Sequence, residues 1–133
     1  MELKVHESLS FNLIEFDERT PSLLFDASVK LHFNATDLEL RSTNFWFGCK
    51  EFQVWIDQIK KMRYAKSQRA TLSDFDRDFE IEVLSNPDKY ELKLCVVVRE
   101  FSAPKVNFSI TYELEHDEFY RLCDAVDDFP IFW

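Results

Sequence analysis

The chain predicts an α+β fold: one domain over residues 1–133, with a mostly antiparallel sheet of about six to seven strands carrying two helices on one face. Three observations lead there. The length suits a single core, which buries roughly two-thirds of the surface an unfolded chain exposes. A composition of 46% hydrophobic residues with 14 Phe can fill that core despite a net charge of −9. Apolar and polar residues alternate along most of the chain, the period of a half-buried strand, and in two segments the period lengthens to that of a helix.

The elements follow in order. Leu9, Phe11 and Leu13 alternate with polar residues, and the pattern then slips through Ile14 to Phe16, which predicts a strand with a bulge. Asp17 to Ser22, with Pro21, reads as a turn. Ala27, Val29, Leu31 and Phe33 alternate with Ser28, Lys30, His32 and Asn34, and Asn34-Ala35-Thr36-Asp37 supplies turn chemistry before a strand from Leu38 to Phe47. At its end Phe45-Trp46-Phe47 either offers an exposed aromatic anchor or divides its rings between the two sheet faces and packs under the helices. From Lys50, Phe52, Trp55, Ile56 and Ile59 follow i, i+3, i+4, i+7, so a helix runs to Met62 with Gly48 near its N-cap.

Arg63 to Arg69 is basic and weakly patterned, a connection. After an acidic strand, Ser85-Asn86-Pro87-Asp88-Lys89 turns into Tyr90, Leu92, Leu94, Val96 and Val98. Ser102-Ala103-Pro104 then turns into Val106, Phe108, Ile110, Tyr112 and Leu114, completing a three-strand meander. Phe119, Leu122, Cys123 and Val126 mark the second helix, with Asp117 placed to cap its first turn. The tail Phe129-Pro130-Ile131-Phe132-Trp133 either folds back on the sheet or offers an apolar patch. A homodimer would use Phe129, Ile131, Phe132 and Trp133.

The acidic strand is the most distinctive segment. In Asp74-Phe75-Asp76-Arg77-Asp78-Phe79-Glu80-Ile81-Glu82-Val83 every even position is acidic and all but one odd position is apolar. Strand geometry sends Phe75, Phe79, Ile81 and Val83 inward, and leaves Asp74, Asp76, Asp78, Glu80 and Glu82 as a ladder outside, repeating about every 6 to 7 Å. Aligning Val83 with Leu92, Ile81 with Leu94 and Phe79 with Val96 sets Glu82 against Lys93 and Asp76 against Arg99. Asp78 then lies opposite Val97 and Glu80 opposite Cys95, without cationic partners. The ladder is either a solvated strand face or a binding surface for a basic partner.

Composition and motifs exclude much else. A net charge of −9 disfavours nucleic acid and anionic membranes as partners. Gly48 is the only glycine, so phosphate-cradling glycine loops and dinucleotide fingerprints are absent. Asp74-x-Asp76-x-Asp78 imitates the start of a calcium loop, but Phe79 stands where that loop needs Gly and Ser85 where it needs Glu. His6, His32 and His116 lack ligand spacing, and no serine or cysteine nucleophile has a sequence signature. No cofactor, metal or catalytic residue is assigned. Cys49, Cys95 and Cys123 are odd in number and far apart, which fits reduced thiols in the cytoplasm, and no apolar run is long enough to span a membrane.

In length and order of elements the chain resembles the WapI-type immunity proteins that accompany polymorphic bacterial toxins. The likeness is carried by the strand pair Ser28 to Phe47, the helix Cys49 to Ile59, the strand Phe79 to Leu84 and the closing pattern Val106 to Leu114 leading into a helix. The resemblance implies a non-enzymatic cytoplasmic inhibitor of one cognate toxin, often a nuclease and therefore basic. The alternative is a homo-oligomeric structural or regulatory module without catalytic activity.

Overall fold

The computed structural model describes residues 1–64, 68–87, 89–98 and 105–133. Along these the chain forms β1 (Glu2–His6), β2 (Leu9–Asp17), β3 (Ser22–His32), β4 (Asp37–Gly48), α1 (Cys49–Arg63), β5 (Arg69–Ser73), β6 (Phe79–Ser85), β7 (Tyr90–Val98), β8 (Val106–Leu114) and α2 (His116–Asp128). The α+β class and the two helices match the sequence reading. The sheet does not: instead of one sheet of six to seven strands there are two antiparallel sheets of four, in the orders β1-β2-β3-β4 and β5-β6-β7-β8.

Two strands were not foreseen, because each is five residues long and turns only two apolar side chains inward. These are Leu3 and Val5 in β1, and Ala70 and Leu72 in β5. The sheet divides at α1. Cys49 begins the helix directly after β4 ends at Gly48, so the chain leaves the first ladder through a helix and pairs afresh. Gly48 is the helix N-cap, as expected, with ordinary negative φ.

The inner faces of both sheets and both helices share one core. Phe79 of β6 meets Phe11 at 5.4 Å, Phe45 at 4.5 Å and Phe47 at 5.7 Å between ring centroids, joining the second sheet to the first. Phe52 of α1 stacks on Phe25 at 5.2 Å, and Phe119 of α2 lies flat on Tyr90 at 3.9 Å. Trp46, between the buried Phe45 and Phe47, is only half-buried, so the three rings divide between faces as alternation requires.

The meander keeps the expected register: Phe79 opposite Val96, Ile81 opposite Leu94 and Val83 opposite Leu92. Ile14 is the bulge in β2, extra between Leu13 and Glu15. The N-cap of α2 is Glu115, not Asp117. Glu115 and Glu118 form a capping box, and Asp117 instead accepts a hydrogen bond from Arg121 one turn on, at 2.9 Å. Lys60–Asp127 (3.2 Å) and Arg63–Asp124 (3.1 Å) tie the two helices together.

The tail folds back. Phe129 is buried against Phe25 and Phe52, Trp133 packs on Phe52 at 5.9 Å, and Phe132 meets Phe16 at 5.4 Å. Of the four residues expected at a dimer contact, Phe129 therefore belongs to the core and Trp133 is half-covered, leaving Ile131 and Phe132 exposed.

Candidate functional site

The five acids of the predicted ladder do not share one face. Only Phe79–Ser85 is strand; Asp74 to Asp78 forms the turn that joins β5 to β6. Asp74 is buried, 6% exposed, and its Oδ1 accepts the backbone N–H groups of Asp78 (2.9 Å) and Phe79 (3.0 Å). Burial is the largest influence on its carboxyl and raises the pKa, with the two backbone hydrogen bonds opposing. Arg77 completes the turn in the left-handed region, at φ 57°. Phe75, expected in the core, is 55% exposed, and its N–H donates to the Trp46 carbonyl at 2.9 Å.

Glu82 is also covered. It lies opposite Lys93 in register, as expected, but its carboxylate is engaged from the other side by Arg69, whose Nε donates at 2.7 Å, and by the Thr71 hydroxyl at 3.3 Å. The reason is that β5, unseen in the sequence, lies next to β6 and brings Arg69 within reach. Asp78 is half-buried, and its carbonyl accepts the Val97 N–H at 2.7 Å. Arg99, the expected partner of Asp76, lies outside the described residues.

Asp76 and Glu80 are what remain of the exposed ladder. Neither makes an ion pair among the described residues, and Glu80 accepts only the Ser73 hydroxyl, at 3.2 Å. Asp76 opens onto a groove of about 320 Å³ with Asp74, Asp78 and Val97 on one side and the irregular part of β4, Arg41 to Phe45, on the other. There the β3–β4 register breaks and Asn44 adopts φ 66°. The site is a carboxylate-rimmed groove on the surface, suited to electrostatic recognition of a cationic group.

A second cluster was invisible in the sequence because its members are far apart in the chain. His6 Nδ1 accepts the Ser8 N–H at 3.2 Å, which assigns the proton to Nε2, and Nε2 donates to Glu118 at 2.8 Å. Ser8 Oγ lies 3.0 Å from the same Nδ1 and 2.9 Å from the Tyr112 hydroxyl. The connectivity resembles a serine–histidine–carboxylate relay. However, Ser8 does not line the adjacent cavity of about 260 Å³, whose walls are Lys4, Val5, His6, Glu7, Glu118, Arg121, Leu122 and Ala125. Its hydroxyl is held between His6 and Tyr112 in the β1–β2 turn, so the cluster fastens that turn to α2 and β8.

The cysteines also favour structure over chemistry. Burial pushes the Cys123 thiol up to about 11 and raises that of Cys49, so neither is a ready thiolate. Cys95 is exposed beside Ser109. Among the described residues no group of three or more His, Cys, Asp or Glu is placed to hold a metal ion, and no helix is long and apolar enough to cross a membrane. Comparison of the chain with family models, curated proteins and solved structures finds no match.

Proposed function

We propose that this chain is an immunity-type inhibitor that binds a basic toxin domain through the acidic turn and its groove, with Asp76 and Glu80 as principal contacts. The observation that carries the reading is the exposure of these two carboxylates without ion-pair partners among the described residues, in a chain of net charge −9. A basic nuclease-type domain is drawn to such a surface at long range, and water is displaced only on docking. Asp74 and Glu82, counted with them in the sequence, serve the fold instead. The β5–β6 pairing places Glu80 on a strand and Asp76 in the turn that precedes it.

The test starts from the neighbouring genes: a toxin-like domain encoded there is expressed in cells with and without this chain, and protection is scored. Wild type is expected to restore growth, and Asp76→Lys with Glu80→Lys is expected to lose protection while accumulating as folded protein. Protection undiminished by the double reversal overturns the assignment.

A further inference from the structure

The geometry points to a second copy of this chain pairing along β8, joining two four-stranded sheets into one of eight strands. The inference goes beyond the inhibitory reading and does not depend on it.

Sheet edges left open are templates for strand pairing, and proteins block them with short strands, charges, prolines, bulges or coverings. Three of the four edges here are blocked. β1 has five residues, includes Glu2 and Lys4, and is irregular between Lys4 and His6. β4 carries Asp37, Glu39 and Arg41, breaks register near Asn44, and has its Trp46 carbonyl taken by Phe75. β5 has five residues and begins with Arg69.

Among the described residues β8 is the least protected of the four edges. Its nine residues, Val-Asn-Phe-Ser-Ile-Thr-Tyr-Glu-Leu, contain no proline and one charge, Glu113, which Lys89 neutralises at 2.8 Å. Its register with β7 is unbroken from Val98–Val106 to Tyr90–Leu114. Along the inner face burial fails toward one end. Tyr112 and Leu114 are covered, whereas Phe108 and Ile110 are half-buried and Val106 is 50% exposed; their neighbours on β7, Val96 and Leu94, are buried.

The strand's own sequence admits a second copy as the occupant of this edge. An antiparallel pair about a two-fold axis at Ile110 sets Ile110 against Ile110, Phe108 against Tyr112 and Val106 against Leu114 on the inner face. On the outer face Ser109 meets Thr111 and Asn107 meets Glu113. Every apolar residue faces an apolar one, every polar residue a polar one, and no like charges oppose. The exposed half of each strand lies beside the covered half of the other, as an isologous contact requires.

Solution mass of the full chain, by sedimentation velocity across a concentration series, tests this. The expected species is twice 15.9 kDa; a monomer at every concentration overturns the inference. Ser109→Lys with Thr111→Lys, both exposed positions, sets lysine opposite lysine and is expected to weaken the dimer by about tenfold or more. A dimer indifferent to those lysines places the contact elsewhere and overturns the inference. Mixing this variant with Ser109→Glu/Thr111→Glu is expected to give a heterodimer, which separates lost pairing from lost folding; two monomers on mixing count against it.

Discussion

In β6, Phe79, Ile81 and Val83 are buried and Glu80 faces solvent, whereas in the five residues just before it Asp74 is 6% exposed and Phe75 is 55% exposed. Both segments place acids at alternate positions, yet β6 buries those three apolar residues, with Glu82 covered beneath Arg69, whereas the turn exposes Phe75 and buries Asp74. The difference lies in what stands alongside. β6 has a strand on each side, so alternation becomes two faces. Asp74 to Asp78 must instead reverse the chain between β5 and β6, and a carboxylate that accepts two N–H groups does this better than a phenyl ring. Alternation therefore specifies a strand only where neighbours are available to pair.

The contrast can be broken at both ends. Ile81→Ala removes fully buried side-chain volume from β6 and is expected to cost about 2–5 kcal/mol in urea denaturation, the largest effect. Asp74→Ala orphans the Asp78 and Phe79 N–H groups and is expected to cost about 1–3 kcal/mol, whereas Asp74→Asn keeps the acceptor oxygen and recovers most of that loss.

The same carboxyl has a pH signature. Burial, the leading cause, raises its pKa in the folded state, so the folded chain holds the proton more tightly than the unfolded one. Its contribution to stability is therefore greatest at low pH and declines as pH rises from the unfolded value through the folded one. Asp74→Asn should remove that slope, read as a stability difference from wild type that shifts in the variant's favour as pH rises through the window. Glu118 runs the other way: the Glu115 N–H and then His6 lower its pKa, so its stabilisation is present above the ordinary Glu range and lost as pH falls through the depressed value. Glu118→Gln should flatten that acid limb. Smallest of all, Phe75→Ser should change stability by no more than about 0.5 kcal/mol, because the ring is exposed.

These contrasts mark what the sequence could convey. The meander and its register were legible because apolar residues repeat on both sides of a turn containing Pro87, and α1 was legible because Phe52, Trp55, Ile56 and Ile59 share one stripe. β1 and β5 were not, since two inward residues each leave no period to detect. Without β5, Arg69 could not be seen as the partner of Glu82, and the free acidic face was overcounted. His6 and Glu118 meet through tertiary packing across 112 residues, and no local pattern in either segment announces the other.

The most direct test of the proposal that the acidic turn is an interface is the association rate with a basic toxin domain that this chain protects against, measured by stopped flow at low and physiological salt. Wild type should associate quickly and slow steeply as salt rises. Asp76→Lys/Glu80→Lys should lose both the speed and the salt dependence, while Glu82→Gln, changed beneath its Arg69 partner, should alter them little. Equal rates and equal salt slopes for wild type and the double reversal would contradict the account.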